Sequence, residues 1–320
     1  MIAPEMSVVG TGLVCASGTT PAELLSGVLD GGAGGLDPLA SARSTLDGLG
    51  RLKWRRYMGP EAELLVAAGT AAAAPVRDDV GLKPASVGIV CATGSAGLDE
   101  YVQMYRSARS GTDRAANLVR GPQSSFNSPA SHLSLHLGTQ GVCMTLVGDG
   151  TSGFAAVKQA RLMLVAGRVE TVLAAGVDRS ALTRSAEPGR VPGQAAAAVA
   201  LAGPSTRRRV LARLRLVADR LSAEQPDWLF AAAGSSVVLD EVDAVVVTDR
   251  RIADLVGEEI SVAHRDIPVL VTEHATGVVG AAGGIAAVIA AIEWLKTHSG
   301  GTVLSISGDA PGNLTAALVR

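Results

Sequence analysis

The sequence predicts an α/β protein made of two duplicated halves, on three observations. First, residues 137–178 read as a complete strand, turn, helix, strand unit. Cys143 to Val147 is short, apolar and partly β-branched, the turn Gly148-Asp149-Gly150-Thr151-Ser152-Gly153 follows, and Phe154 to Val165 has the length and alanine content of a buried helix. Second, the unit recurs near the C-terminus. Gly153, Ala155, Ala156, Val157, Ala160, Leu164, Thr171, Val172 and Leu173 return as Gly284, Ala286, Ala287, Val288, Ala291, Leu295, Thr302, Val303 and Leu304, all at an offset of 131. Third, strand-like and helix-like segments alternate along the chain, as α/β architecture requires.

Taken in order, Met6 to Val9 reads as a strand ending in the turn Gly10-Thr11-Gly12, and Thr20-Pro21-Ala22-Glu23 is a capping box with proline at the first helical position. Those glycines do not open a helix directly, so a dinucleotide fingerprint is set aside. Residues 31–50 read as surface loop, and a helix follows from about Pro60 to Ala74. Strand Val87 to Cys91 ends in Ala92-Thr93-Gly94-Ser95-Ala96-Gly97, a near miss to a hydrolase elbow in which Ser95 reads as packing at a tight turn. From Leu98 to Ser110 a helix places Leu98, Tyr101, Val102 and Tyr105 on one face, either as a core stripe or as the wall of an acyl or ligand channel. Gly121 to Ala130 reads as loop, with His132 and His136 on the next helix; Arg184 to Gln194 is again loop. Ala195 to Leu201 looks like a central strand; Val210 to Val217, Ala244 to Val247, Val269 to Thr272 and Thr302 to Ile306 are further strands, and Gly284 to Lys296 is a helix with a glycine-rich entry.

At 320 residues and 48% hydrophobic content the chain buries a large core. A net charge of −2 gives no electrostatic case for nucleic acid or an anionic membrane, and Arg51-Lys53-Arg55-Arg56 and Arg207-Arg208-Arg209 read as solvated surface. Cys15, Cys91 and Cys143 form no ligand-spaced pair and suit reduced interior thiols. The cytoplasm is the expected compartment: the N-terminus shows no secretory pattern, and uncharged Ala275 to Ile292 reads as a buried helix rather than a membrane span.

These residues resemble the thiolase-fold condensing enzymes, the β-ketoacyl synthases, over almost the whole chain. The resemblance rests on VVGTGLVCASG near the N-terminus, on Leu137-Gly138 through Gly141, and on Gly280-Ala281-Ala282-Gly283-Gly284. It implies a thiolase-like fold of two α/β halves, residues 1–205 and 206–320, fused in a layered αβαβα architecture. A ketosynthase needs a cysteine at the elbow and two histidines for decarboxylation. Carried over by spacing, these positions fall on Gly150, on Thr248 or Asp249, and on Gly277. None has the required side chain.

One branch of that family characteristically lacks the nucleophile: the chain-length factors, which pair with an active ketosynthase in type II polyketide synthases. Ala174 to Leu182 resembles the strand-end segment of the family, whereas Asp149-Gly150 departs from the usual Glu-Gln of the elbow. The short section from Asp178 to Val217 is similar to trimmed pairs from systems that make linear, highly reduced polyenes. The resemblance implies a tunnel gate at Leu98, Tyr101, Tyr105 and Pro122, and a dimer interface at Cys143, Met144, Thr145, Leu146 and Val147. It implies a ketosynthase partner, an acyl carrier protein reached through the complex, a polyketide acyl chain at the interface, and no metal or cofactor. Two alternatives stand beside it: an acyl-transferring or hydrolytic enzyme using Cys143, Cys91 or Ser95 with His274, and a degenerate homodimeric binding protein.

Overall fold

The computed structural model describes residues 5–32, 34–77, 83–110, 116–179, 192–221, 241–262, 266–309 and 313–320. Its strands are β1 (Met6–Val14), β2 (Val87–Thr93), β3 (Cys143–Val147), β4 (Thr171–Arg179), β5 (Gln194–Ala202), β6 (Ala212–Leu221), β7 (Ala244–Val247), β8 (Val269–Val271), β9 (Val303–Asp309) and β10 (Asn313–Val319). The α-helices are α1 (Pro21–Leu29), α2 (Pro38–Gly48), α3 (Pro60–Arg77), α4 (Leu98–Ser110), α5 (Ala116–Gln123), α6 (Ser128–Leu137), α7 (Ser152–Val165), α8 (Arg250–Val262), α9 (Glu273–Thr276) and α10 (Gly280–Thr297).

The strands hydrogen-bond in the order β3-β2-β4-β5-β1-β6-β10-β9-β7-β8. Outward from the antiparallel β1–β6 junction, both runs follow one plan: first, fifth, fourth, second, third strand. The second strand of each run pairs in parallel with the third and the fourth. The repeat seen in the sequence is therefore a repeat of topology.

Side-chain alternation divides the interior into three apolar layers. Along β5, Ala195, Ala197, Val199 and Leu201 enter a central layer, while Ala196, Ala198, Ala200 and Ala202 face the layer under α3. Along β7, Ala244 and Val246 enter the central layer, and Val245 and Val247 face a third layer with Ile252 and Val256 of α8. Helices α7 and α10 fill the centre, and α10 packs on both β4 and β9. Together these give the αβαβα arrangement. Every residue from Gly280 to Ile292 is buried, so the helix that is long and apolar enough to cross a membrane is enclosed by its own fold.

The capping box at Thr20 forms as expected. Several expectations are corrected. Gly10 and Gly12 are not a turn but the interior of β1. A Cβ on either would come within 2.1 Å of the Ala72 or Ala68 carbonyl oxygen, so glycine here lets α3 lie against the strand. Residues 38–48 form a helix rather than a loop, with Asp37 accepting from the Leu39 amide and Pro38 in the first turn. Part of the expected 121–130 loop is helical, with Pro122 inside α5, and the glycine-rich entry at 280–284 is the first turn of α10 itself. Helix α8 and strand β10 come from segments that had no assignment. The expected 184–194 loop lies largely outside the described residues.

The duplicated glycines meet where the central helices cross. A Cβ on Gly153 would stand 2.5 Å from the Ala281 carbonyl oxygen and 3.4 Å from the Gly284 Cα. Because the obstacle is backbone, neither helix can yield locally. Gly153→Ala is expected to lower unfolding stability by about 1–3 kcal/mol, measured by urea denaturation, whereas Gly203→Ala, with open space at the Cβ, leaves it nearly unchanged.

Candidate functional site

The elbow between β3 and α7 is held from both halves of the fold. The Gly148 amide donates to the Thr93 carbonyl at 3.1 Å, and the Ser152 amide donates to the Asp149 carbonyl at 2.9 Å. From the second half, the Ser307 hydroxyl of β9 donates to the Gly150 carbonyl at 2.6 Å. Gly150 is buried, and it offers no side chain at the elbow.

The other positions that spacing singled out, Thr248 or Asp249 and Gly277, are held in different ways. Thr248, just after β7, has a buried hydroxyl with no hydrogen-bond partner, and its Cγ2 lies in the space before Gly283. The neighbouring Asp249 is buried and caps α8: its carboxylate accepts from the Ile252 amide at 3.1 Å and from Arg251 at 3.3 Å. Gly277 has φ 69° and ψ −173°, a backbone state that is essentially restricted to glycine. A histidine could not occupy that conformation without rebuilding the segment.

Among the described residues, no histidine hydrogen-bonds to the nucleophiles of the enzymatic alternative. Cys91 is fully buried in β2, and burial pushes its thiol far above the ordinary range. Cys143, expected to be interior, is exposed at the sheet edge, and partial burial of its sulfur again raises the pKa. The Ser95 hydroxyl lies within hydrogen-bond distance of the Asp178 carboxylate and the Arg179 carbonyl, at 3.3 and 3.1 Å. Among the described histidines, His132 bonds to Ser128, His274 accepts from Arg250 at 3.1 Å, and His298 bonds to Thr297 and Trp294. Among the described residues, no cluster of His, Cys, Asp or Glu could hold a metal ion.

A buried polar centre beside the elbow escaped the reading of the sequence. Asp178, at the end of β4, accepts from the Gly94 amide at 2.7 Å, the Ala281 amide at 2.5 Å, and the Ser95 and Thr93 hydroxyls at 3.3 Å each. Burial pushes its carboxyl up to about 6, against the pull of these donors. Next along β4, Arg179 lies 3.8 Å from Glu61 of α3 and 3.9 Å from Asp99 of α4. Burial, reinforced by the Glu100 carboxylate, raises Glu61 to about 7 despite Arg179. Glu100 is also raised, chiefly by burial.

The expected gate and interface residues lie at the surface. Helix α4 turns inside out: Glu100 is buried, while Tyr101 and Tyr105 are each 54% exposed, so the core-stripe reading fails. Leu98 is partly buried at the start of α4, and Pro122 lies on neighbouring α5, which packs against α4. Strand β3 ends the sheet with one edge unpaired. Val147 is 61% exposed, Cys143 is exposed, and Met144, Thr145 and Leu146 are only partly covered, with the Thr145 hydroxyl buried and unbonded. Apolar Leu135 of α6 and Leu162 and Val165 of α7, the helices that flank this edge, are exposed as well.

The buried carboxyls fix a pH dependence. Glu61 goes from about 4.5 unfolded to about 7 folded, so the folded state binds its proton more tightly. That contribution is complete below the unfolded value and is lost as pH rises through about 7, by up to ~3 kcal/mol. Asp178 acts in the same sense up to about 6. Glu61→Gln is therefore expected to flatten the decline in melting temperature between about pH 5 and pH 8, as read by calorimetry.

Comparison with known proteins accords with this geometry. Residues 51–187 match the family model of the β-ketoacyl synthase N-terminal domain. No curated protein matches the chain. Among solved structures, a chain of the ishigamide ketosynthase/chain length factor superposes with a TM-score of 0.71 at 19% identity, covering 98% of this chain and 99% of that one. A chain from AntDE:AntF, a type II polyketide synthase acyl carrier protein in complex with its ketosynthase bound to the hexaketide, gives 0.75 at 15% identity, covering 100% and 99%. A β-ketoacyl synthase from Burkholderia phymatum STM815 gives 0.71 at 15% identity, covering 99% of each. The chain thus has the thiolase-like fold of the ketosynthases over its whole length, and within it residues 51–187 are similar to the β-ketoacyl synthase N-terminal domain.

Proposed function

We propose that this protein is the chain-length-factor subunit of a type II polyketide synthase: a non-acylating partner that pairs with an active ketosynthase and shapes the tunnel for the growing chain. One observation carries the reading. A ketosynthase fold has glycine at the elbow and a glycine-only backbone where the second histidine would stand, so it keeps the architecture of a condensing enzyme without its acyl-carrying or decarboxylating groups. A fold preserved after such loss retains value through what it binds.

The surfaces support the same reading. The unpaired edge of β3, with apolar side chains on it and on both flanking helices, suits antiparallel pairing with the equivalent strand of a partner across a pseudo-twofold axis. Cys143, Met144, Thr145, Leu146 and Val147 form that interface. Leu98, Tyr101 and Tyr105 of α4, with Pro122 opposite, cap the tunnel into which the partner's polyketide chain extends. An added two-carbon unit would overlap a packed aromatic wall, which is unfavourable enough to end growth. The acyl carrier protein delivers to the ketosynthase through the assembled pair.

Co-expression with a candidate ketosynthase, followed by size-exclusion chromatography with mass detection and acyl-thioester labelling, tests the assignment. The expected result is a one-to-one complex labelled only on the partner. A homodimer labelled on this chain would overturn it. Within a productive complex, Tyr101→Ala and Tyr105→Ala are expected to lengthen the product, read by mass spectrometry; an unchanged length removes these residues from the gate.

A further inference from the structure

Among the described residues, helix α4 is attached to the body of the protein chiefly at its base. Beyond its first turn it packs chiefly on α5, and Tyr101 and Tyr105 project outward. At the base, the Leu98 amide donates to the Ser95 carbonyl at 3.0 Å, and Ser95 is tied to β4 by its hydroxyl, which accepts from the Arg179 amide at 3.2 Å. The Arg179 side chain then reaches both Asp99 of α4 and Glu61 at the start of α3. Glu100 is buried beside them with one carboxylate oxygen unbonded, and Arg120 of α5 also acts electrostatically on it. Among the described residues, the side-chain link from α4 itself to the two inner elements is thus a single guanidinium set among three carboxylates.

We infer that Arg179 is a positioning residue that sets the angle of α4, and through it the place of Tyr101 and Tyr105 at the end of the tunnel. The inference rests on the gate reading above. Arg179 itself is only 17% exposed in its side chain and stands behind the helix, so it acts through α4 and not by touching the acyl chain. A helix pinned at one end converts a small change at its first turn into a larger displacement of its outer turns. Residues one and two turns along, at Tyr101 and Tyr105, would move enough to change the room left for a two-carbon unit. The Nε of Arg179 has no hydrogen-bond partner, so the role depends on a positive charge at the end of a long side chain, which lysine also supplies.

The test compares Arg179→Met, Arg179→Lys and Asp99→Asn in the reconstituted complex with its ketosynthase, reading product length by mass spectrometry and complex mass by light scattering. With Arg179→Met the product distribution is expected to broaden toward chains at least one two-carbon unit longer, while the complex stays one-to-one. Arg179→Lys is expected to restore the parent length. Asp99→Asn, which cuts only the link to α4 and leaves Arg179 beside Glu61, is expected to broaden the distribution too, and it serves if Arg179→Met does not fold. Parent-length product from Asp99→Asn, or from a folded Arg179→Met, while Tyr101→Ala still changes length, would overturn the positioning role and leave the gate intact. If Tyr101→Ala and Tyr105→Ala also leave length unchanged, the gate reading has failed and the positioning role falls with it.

Discussion

Helix α10 is the member on which both halves of the sheet pack, and it has no N-terminal cap of its own. Val279 precedes it without a side-chain hydrogen bond, and the missing acceptor comes from Asp178 in the other half of the molecule, bonded to the Ala281 amide. The same carboxylate takes the Gly94 amide and two hydroxyls from the exit of β2. A buried amide left without an acceptor costs about 1–3 kcal/mol, so this one side chain fastens the helix of the second half to two strands of the first. The Gly153 and Gly284 crossing permits the close approach, and Ser307 bonded to the Gly150 carbonyl holds the elbow in register with β9. The elbow is thereby held by the same joint that unites the fold.

Much of that fold was legible because its signals are local or repeated. The constant offset between the two strand and helix units survives alanine-rich composition, and the capping box at Thr20 and the bounds of α4 follow from side chains within a few residues. What was not legible depends on neighbours distant in sequence. Gly10 and Gly12 look like a turn until α3 is laid against them, and the apolar run of β3 reads as a buried strand although it lies at an edge. Composition reports that a surface is apolar; it does not report whether the chain itself or another molecule covers it. The same ambiguity inverted α4, whose spaced tyrosines suggested core while its carboxylates were the residues turned inward.

For the candidate site, spacing singled out Gly150, Thr248, Asp249 and Gly277 as the positions to inspect. It could not show that Asp249 is occupied as a helix cap or that Thr248 is left with a buried, unbonded hydroxyl. The polar centre at Asp178 and Arg179 was visible only as a short segment resembling the family, since its partners Glu61, Gly94, Asp99 and Ala281 are scattered along the chain. Buried charge of this kind is a product of tertiary packing, and no local pattern announces it.

The backbone at Gly277 limits which sequences this fold accepts. Most glycines on a surface or in a loop can be exchanged for another residue at small cost. Here the main chain holds a conformation that excludes any branched or bulky side chain, and the Thr276 hydroxyl bonds the Gly277 carbonyl at 2.8 Å to hold it there. A side chain at this position would demand a rearranged segment first, so the residue and its backbone can change only together.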